Sequence, residues 1–322
     1  MVRENKQVST SCLADGYGRT MRKLRVQLTD ACNFRCFYCM PPHVQFLPSR
    51  ECLRAAELIE ICSILADLGI EEIRISGGEP TIRQDFDEIV RGLSALPLKK
   101  LGVTTNGFCL KEKLSIFKET RCRHINVSLD SLREERFRAI TRADHFKNVY
   151  QGILAAQEMG FHVKVNVVLM KDFNDDEIFD FIEFSRRFGI DVRFLELMKI
   201  GVSCSIQPRY FISAQEVIER IESKEKLLPQ SVDSDSTSFN FTTESGARIG
   251  FIASESQPFC GFCSRLRLTA TGILRSCLMS EKGIGLRGKD RTEYPDILRS
   301  VTAMKPMDRL EKIGQPMYQI GG

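Results

Sequence analysis

The amino-acid sequence predicts an α/β fold, a partial (β/α)6 TIM-like barrel with a C-terminal extension. Two observations predict it: six short strand-like runs alternate with helical patterns, and most of the runs are apolar on one face only. The chain has 322 residues, of which 43% are hydrophobic and 27% charged, enough to bury a large core. Strand-to-helix alternation of this kind is typical of a parallel sheet with helices packed outside it.

The six predicted strands are 24–29, 72–76, 100–105, 124–129, 162–169 and 192–198. After the first strand, apolar residues recur at helical spacing from Leu58 to Leu68, and Gly69 ends that helix. Before the last strand, Asp175 and Asp176 begin a helix that ends at Gly189. The order of elements is therefore that of successive βα units.

The polar face of the strands favours a barrel over a doubly wound sheet. A doubly wound sheet lies under helices on both sides, so both faces of its strands are apolar. Here one face carries Arg25, Arg74, Asn126 and Lys164, and Glu196 and Met198 are expected on the same face of the last strand. So many polar groups indicate a wet or liganded interior. In the third strand, alternation turns Thr104 rather than Thr105 inward.

The barrel is predicted to span residues 1–230, and residues 231–322 to form a C-terminal region. The polar run 231–238 is interpreted as a linker or mobile loop, and a short strand is expected at 247–252. A net charge of +4 does not indicate a nucleic-acid partner. No apolar run approaches the length of about 20 residues that spans a bilayer. With twelve cysteines in a chain that lacks a signal peptide, a reducing cytoplasm is expected.

Three cysteines follow the first strand directly, with the spacing C-x3-C-x2-C at Cys32, Cys36 and Cys39. Three thiolates on one loop hold three corners of a cubane iron–sulfur cluster and leave one iron open for a substrate or cofactor. The alternatives are half of a zinc site or unconnected core cysteines. The spacing and the preceding strand favour the cluster.

A second group, Cys260, Cys263 and Cys277, has the spacing C-x2-C-x13-C and again lacks a fourth ligand nearby. By itself this pattern is more often zinc, but beside the first group it favours a second cluster. Arg265 and Arg267 follow it two residues apart, so on a strand they share one face. With the inward cations they indicate a polyanionic ligand, because guanidinium groups match phosphate oxygens.

These motifs resemble those of the radical S-adenosylmethionine (SAM) enzymes and, within them, the GTP 3′,8-cyclase family of molybdenum-cofactor biosynthesis. The resemblance covers nearly the whole chain, from Gly18 and Arg19 to the terminal Gly321 and Gly322. It is carried by the two cysteine groups and by Gly-Gly-Glu-Pro at 77–80. Thr-Thr-Asn-Gly at 104–107 and Asn-Val-Ser-Leu-Asp at 126–130 carry it further.

The resemblance implies two [4Fe-4S] clusters, a SAM cofactor and a role for each matching residue. Cys32, Cys36 and Cys39 hold the SAM cluster, and Cys260, Cys263 and Cys277 the second one. Tyr38, Gly78, Ser128 and Met198 bind SAM. Arg25, Arg74, Thr105, Lys164, Arg265 and Arg267 bind GTP, and Gly321 and Gly322 enter the active site and are needed for catalysis.

The implied reaction makes the chain a lyase. A 5′-deoxyadenosyl radical removes the ribose 3′ hydrogen of GTP, and the ribose radical attacks carbon 8 of guanine. The cyclised radical takes up one electron and one proton to give (8S)-3′,8-cyclo-7,8-dihydroguanosine 5′-triphosphate. Implied partners are a reduced flavodoxin- or ferredoxin-type electron donor, the downstream cyclic pyranopterin monophosphate synthase and, as an option, a second copy in a homodimer.

Three other interpretations stay open: a radical SAM peptide modifier, a non-enzymatic iron–sulfur or zinc protein, and a divergent paralogue that acts on another nucleotide. Lys199, Ser264 and Thr81-Ile82 depart from the residues common in the family; they remove no ligand but leave room for the last of these. Ser264 matters most among them because it lies beside the expected nucleotide site.

Overall fold

The computed structural model describes residues 10–41 and 43–321 of the chain. Its strands form one sheet in the order β12-β11-β10-β1-β2-β3-β4-β5-β6-β9-β8-β7. The strands are β1 (Lys23–Gln27), β2 (Glu72–Ser76), β3 (Lys100–Thr105), β4 (Cys122–Ser128), β5 (His162–Leu169), β6 (Asp191–Glu196), β7 (Leu227–Gln230), β8 (Phe239–Thr243), β9 (Arg248–Ile252), β10 (Arg265–Leu268), β11 (Ile273–Arg275) and β12 (Gly283–Gly285).

Helices connect and cover these strands. They are α1 (Ala55–Asp67), α2 (Phe86–Ser94), α3 (Leu110–Glu119), α4 (Glu134–Thr141), α5 (Phe146–Glu158), α6 (Ile178–Phe188), α7 (Ser203–Tyr210), α8 (Ala214–Glu222), α9 (Tyr294–Ala303) and α10 (Met317–Ile320). None of them is both long and apolar enough to cross a membrane within the described residues.

The central six strands, β1 to β6, are parallel neighbours in chain order. The C-terminal region adds strands at both edges of this sheet: β10 pairs parallel with β1, and β9 pairs parallel with β6. The prediction of a mostly parallel α/β barrel-like fold is therefore confirmed. The proposed division at residue 230 stays a prediction, since one sheet runs through both regions.

Three predicted strands, β2, β3 and β5, have the expected bounds, and the others differ at their ends. The predicted helix stops are also confirmed. Gly189 adopts φ +62° directly after α6, and Gly69 adopts φ +119° just after α1. Both lie in the left-handed region that ends helices and favours glycine.

The apolar faces of β1 to β5 pack under the helices as expected. Leu24, Val26, Ile75, Val127 and Val165 are each at most 1% exposed. Because side chains alternate along a strand, the polar residues between them point to the opposite, concave side of the sheet. We call this interior the lumen.

The face of β6 was predicted wrongly. Arg193 pairs in register with Asn166, so it shares the polar face, whereas Glu196 pairs with the apolar Leu169. Val192 and Phe194 are buried on the helix side, and Glu196 follows them there. Its carboxylate accepts hydrogen bonds from the backbone N–H groups of Ala214, at the start of α8, and of Glu255. The strand ends at Glu196, so Met198 lies in the loop beyond it.

The polar run 231–238 is fixed to the body of the protein by Asp235. Its carboxylate, 6% exposed, accepts hydrogen bonds from the ammonium of Lys23 at 2.7 Å and from the guanidinium of Arg22 at 3.1 Å. The hydroxyl of Ser264 is a third donor. The segment therefore covers the amino-terminal end of β1 instead of hanging free as a linker.

Candidate active site

The two cysteine groups lie at opposite ends of the parallel strands, one at their carboxyl ends and the other at their amino ends. β1 and β10 are parallel neighbours, with Lys23 beside Arg265 and Arg25 beside Arg267. The first group follows the carboxyl end of β1, whereas Cys263 comes just before the amino end of β10. Five strand residues at about 3.3 Å each separate the two ends by roughly 16 Å. The lumen lies between them.

The first cysteine loop is held by its backbone and its aromatic side chains. The N–H groups of Arg35 and Phe37 donate to the carbonyls of Thr141 and Ile140 at 2.8 and 3.1 Å, which fixes the loop to the end of α4. Phe34 packs edge-on against Phe137 at 5.8 Å between ring centroids. These contacts fix the loop that carries the three thiols.

Burial is the largest influence on the pKa of each thiol in the first cysteine group. It raises the pKa of Cys32 to about 11 and, with the charge of Cys32, that of Cys39 to about 12. It also raises the pKa of Cys36, to which the neighbouring charges of Asp130 and Cys39 contribute. The three sulfurs thus lie close enough together for one thiolate to oppose the ionisation of another. A cationic iron cluster would relieve this repulsion, because the thiolate is the ligand that iron takes.

The Gly-Gly-Glu-Pro turn after β2 packs against the chain just before Cys32. A Cβ on Gly78 would lie 2.3 Å from the carbonyl oxygen of Asp30, so no side chain fits there. The Glu79 carboxylate is fully buried. It accepts hydrogen bonds from the hydroxyl of Thr105 at 2.7 Å and from the N–H of Asn106 at 2.5 Å. This turn therefore fixes the ends of β2 and β3 around the first cysteine loop.

Thr105, expected from the resemblance to bind GTP, points at Glu79 in this structure. Thr104 lies on the polar face as alternation predicts, and its buried hydroxyl has no hydrogen-bond partner within the described residues. The Oδ1 atom of Asn166 on β5 is likewise buried without such a partner. Buried polar atoms normally have a partner, so these two fit a lumen that holds a polar ligand.

Tyr38, Ser128 and Met198, expected to bind SAM, lie around the carboxyl ends of the strands. The hydroxyl of Tyr38 donates to Asp130 at 2.6 Å, and burial raises the pKa of that carboxyl to about 6. Ser128 ends β4 and pairs in register with Asn166. Met198 packs against the small apolar cluster of Ile200, Met279, Ile313 and Ile320.

The second cysteine group has cations beside it. Arg265 donates from Nη2 to the Cys263 sulfur at 3.4 Å. Burial alone would raise the pKa of Cys263, but the charges of Arg265 and Lys305 outweigh it and lower the pKa to about 6. Cys260 is different: its burial and the charges of Cys277 and Cys263 raise its pKa. These influences place the three sulfurs near one another.

The lumen between the two groups is cationic. Arg25, Arg74, Arg193 and Arg267 all lie on the polar face, and burial lowers the pKa of each. After burial, the largest influence on Arg25 is Arg267, on Arg193 it is Arg74, and on Arg267 it is Arg265. For Arg193 and Arg267 the pKa falls to about 10. Cations that oppose one another in a buried space favour a bound anion.

Lys164 also lies on the polar face, but its charge is partly balanced. Its ammonium pairs with Asp191 at 2.6 Å, and Asp191 pairs in turn with Arg248 at 2.5 Å. Arg193 was not selected from the sequence because the face of β6 was assigned wrongly. The apolar Val192 and Phe194 beside it were the signal that would have found it.

The C-terminal tail lies in the lumen and contacts residues at both ends of it. Gln27 donates to the carbonyl of Tyr318 at 2.8 Å, and Tyr318 lies close enough to Cys39 for the charge of that sulfur to act on its hydroxyl. Arg267 donates to the carbonyl of Gly321 at 2.6 Å. Gly321 has φ +69°, and a Cβ there would lie 2.9 Å from Gln27 Cβ. Gly322 lies outside the described residues.

Both cysteine groups fit iron–sulfur clusters by the chemistry of their donors. Each offers three thiols with mutual electrostatic influence and no disulfide, since all twelve cysteines are free. Across residues 10–41 and 43–321, no three His, Cys, Asp or Glu side chains converge closely enough for a single metal ion. In a cubane each thiolate binds a different iron, so its ligands do not converge on one ion.

Sequence and structure comparisons place the chain in a known class. Residues 26–185 match the Radical SAM superfamily, and residues 190–307 match the family described as Molybdenum Cofactor Synthesis C. The fold resembles that of SuiB from Streptococcus suis, solved with bound S-adenosylmethionine. That likeness has a TM-score of 0.61 at 13% identity and covers 87% of this chain and 67% of SuiB. The chain is thus a radical SAM protein.

Full-length relatives narrow the class to one family. The chain is 46% identical over 310 residues to a GTP 3′,8-cyclase of Synechocystis sp., covering 96% of this chain and 95% of the relative. It is 38% identical to a GTP 3′,8-cyclase of Aquifex aeolicus, covering 96% and 100%. Molybdenum cofactor biosynthesis protein 1 of Drosophila melanogaster is 40% identical, covering 89% of this chain and 52% of that protein. The chain belongs to the GTP 3′,8-cyclase family.

Proposed function

We propose that this chain converts GTP to (8S)-3′,8-cyclo-7,8-dihydroguanosine 5′-triphosphate, a radical SAM lyase reaction in molybdenum-cofactor biosynthesis. The observation that carries the proposal is the placement of a cationic lumen between two groups of three thiols. A reaction that joins a radical source to a nucleotide needs both ligands in one enclosed space. The lumen supplies that space, and its charge selects an anionic substrate.

Cys32, Cys36 and Cys39 would hold the first [4Fe-4S] cluster. Bound there with SAM at its open iron, the cluster supplies the electron that generates the 5′-deoxyadenosyl radical. Four residues would hold the cofactor: Tyr38, Gly78, Ser128 and Met198. All four lie around the carboxyl ends of the strands, in one region. Gly78 supports this role because its missing side chain lets the turn pack against the cysteine loop.

Cys260, Cys263 and Cys277 would hold a second [4Fe-4S] cluster at the opposite end. Arg25, Arg74, Lys164, Arg265 and Arg267 would bind the triphosphate, with Thr105 as a further contact once it releases Glu79. Guanidinium groups donate paired hydrogen bonds to phosphate oxygens. The cations of the lumen are most concentrated at this end, which orients GTP with its phosphates toward the second cysteine group.

Gly321 and Gly322 would act in positioning the nucleotide for cyclisation. The tail lies between both cysteine groups, and Arg267 contacts both Ile320 and Gly321 through their carbonyls. Glycine allows the chain to approach where a Cβ would clash. Excluding water from the lumen protects a carbon radical and keeps the reacting atoms in place.

A reduced flavodoxin- or ferredoxin-type protein would supply electrons, and cyclic pyranopterin monophosphate synthase would take the product. The cytoplasm is the expected compartment, because the six ligand cysteines and the six others stay reduced there. Homodimer formation stays a prediction. The nucleotide preference also stays open to test, because Ser264 and Lys199 depart from the family pattern.

The test is anaerobic incubation of the reconstituted protein with SAM, dithionite and GTP that carries deuterium at the ribose 3′ carbon. We expect deuterium in 5′-deoxyadenosine and a cyclised nucleotide by mass spectrometry and NMR. Guanosine and ATP, each with deuterium at the ribose 3′ carbon, serve as comparison substrates. Label transfer from ATP but not from GTP would contradict the assignment and support a paralogue that acts on another nucleotide.

A further inference from the structure

The feature that the reaction leaves unexplained is a buried lysine behind the second cysteine group. Lys305 is 3% exposed, although lysine is almost never this buried unless its charge is compensated. Lys305 lies between α9 and the C-terminal tail, outside the motifs that carry the family resemblance. Its side chain reaches back into the C-terminal strands.

The ammonium of Lys305 connects the two segments that carry the cysteines. It donates to the carbonyl of Arg265 at 2.7 Å and to the carbonyl of Ser276 at 2.7 Å. Arg265 lies two residues after Cys263, and Ser276 lies directly before Cys277. The Lys305 ammonium also lies close enough to Cys263 and Cys277 for the charges of their sulfurs to act on it.

Arg19 ties the same region together but contributes differently. Its guanidinium donates to the carbonyls of Cys260 at 2.7 Å and Pro306 at 3.0 Å. It also forms an ion pair with Asp15 at 2.6 Å, so a carboxylate balances its charge. The Lys305 ammonium, in contrast, donates to two carbonyls, and no carboxylate of the described residues pairs with it. Of the two buried cations, Lys305 is therefore the one whose charge acts on the sulfur ligands.

We propose that Lys305 is a positioning residue of the second cluster: it holds Cys263 and Cys277 in register and raises the reduction potential of the cluster they bind. This inference rests on the proposed second cluster. Reduction adds one negative charge, which a nearby ammonium stabilises. Hydrogen bonds to the sulfur ligands and the local net charge are two of the factors that set such potentials.

The experiment uses the full-length protein, reconstituted anaerobically, with redox titration followed by EPR and with iron analysis. Lys305→Met removes the donors and the charge, Lys305→Gln keeps a donor without the charge, and Lys305→Arg keeps both. Lys312→Met, an exposed lysine of the same C-terminal stretch, is the matched control. The signal that disappears in Cys263→Ser identifies the second cluster.

We expect Lys305→Gln to shift the potential of that signal to a more negative value, while the first cluster titrates as in the wild type. Lys305→Met is expected to show a larger shift, or to lose about half of the iron while keeping the first cluster. Lys305→Arg is expected to recover most of the wild-type behaviour. Lys312→Met is expected to match the wild type.

Two negative results are distinguishable. Wild-type protein that holds only the first cluster would contradict the proposed second cluster itself. Wild-type protein with both clusters, combined with an unchanged potential in Lys305→Gln and Lys305→Met, would overturn the role of Lys305 alone. If Lys305→Met fails to fold, Lys305→Gln still decides, because it retains a polar side chain, one atom shorter than lysine, that can donate a hydrogen bond.

Discussion

At the carboxyl end of β1, burial raises the pKa of the Cys36 and Cys39 thiols, and the charges of Asp130 and Cys32 raise it further. At the opposite end of the lumen, Cys263 lies between Arg265 and Lys305, and its pKa falls to about 6. The same ligand thus occurs in opposite electrostatic surroundings. The difference separates two tasks: one end, where the carboxylates of Glu79 and Asp130 lie beside the thiols, suits the sulfonium cofactor SAM, and the other suits an anionic nucleotide.

The largest expected effect comes from removing a ligand of the first cysteine group, at the carboxyl end of β1. Cys36→Ser should abolish SAM cleavage, because two thiolates hold the first cluster without the register that its open iron requires. The measurement is 5′-deoxyadenosine formation by anaerobically reconstituted protein. Cys109→Ser, a half-buried cysteine outside both groups, is the control. Normal 5′-deoxyadenosine formation by the Cys36→Ser variant would rule out this loop as the cluster site.

The corresponding change at the cationic end should break a different step. Cys263→Ser is expected to spare the first cluster and leave uncoupled SAM cleavage, because the two groups lie on separate segments roughly 16 Å apart. Cyclised nucleotide should no longer form. Product and 5′-deoxyadenosine are measured in the same reaction, so their ratio reports the effect directly. Cyclisation at the wild-type rate would show that the second group is not part of the substrate site.

Variants of the C-terminal tail test whether the two ends of the lumen, each with its cysteine group, work together. Deleting Gly321 and Gly322 should leave the iron content and GTP affinity near normal and strongly reduce cyclisation. Gly321→Ala should also impair it, because its φ of +69° and the 2.9 Å distance to Gln27 Cβ leave no room for a methyl group. Gly314→Ala is the matched control, since no atom lies within 4 Å of its added Cβ.

Iron analysis and GTP binding accompany the cyclisation assay for each tail variant. Restored activity on adding a peptide that ends in Ile-Gly-Gly would support insertion of the tail. Full activity of the truncated protein would show that the contacts of Gly321 have no role in turnover.

A cation of the lumen should give an intermediate effect. Arg74→Ala is expected to weaken GTP binding by about 1.5–3 kcal/mol, roughly 10- to 150-fold in Kd, because a charge-assisted contact is lost. Guanosine, which lacks phosphate, should lose far less. Isothermal titration with both ligands makes the comparison, with Arg138→Ala, an exposed arginine of α4, as control. Equal losses for the two ligands would mean that Arg74 acts on the fold rather than on phosphate.

The sequence predicted the six central strands and the inward direction of Arg25 and Arg74, because period-two alternation reports which face a residue takes. It assigned β6 wrongly, since Glu196 is polar but serves the helix side by accepting backbone N–H groups. No local pattern reveals such a contact. The role of Lys305 was equally hidden, because its partners Arg265 and Ser276 are distant in sequence.

Ser264 should have the smallest effect of all, although it departs from the family pattern beside the expected nucleotide site. Its hydroxyl donates to the Asp235 carboxylate, at the amino-terminal end of β1, and its carbonyl accepts from the N–H groups of Arg22 and Lys23. The side chain therefore fixes the 231–238 segment and does not point at the lumen cations. Ser264→Ala removes one hydrogen bond and leaves the Lys23–Asp235 ion pair in place.

We expect Ser264→Ala to lower the free energy of unfolding by about 0.5–1.5 kcal/mol, measured by denaturant titration of the apoprotein. The preference for GTP over ATP should stay unchanged in competition assays on the reconstituted protein. A clear shift in that preference would mean that the cationic end reads the base through Ser264. If only stability changes, the nucleotide end of the lumen depends on Arg25, Arg74 and Arg267, and the departure at position 264 is a local exchange of packing against Asp235.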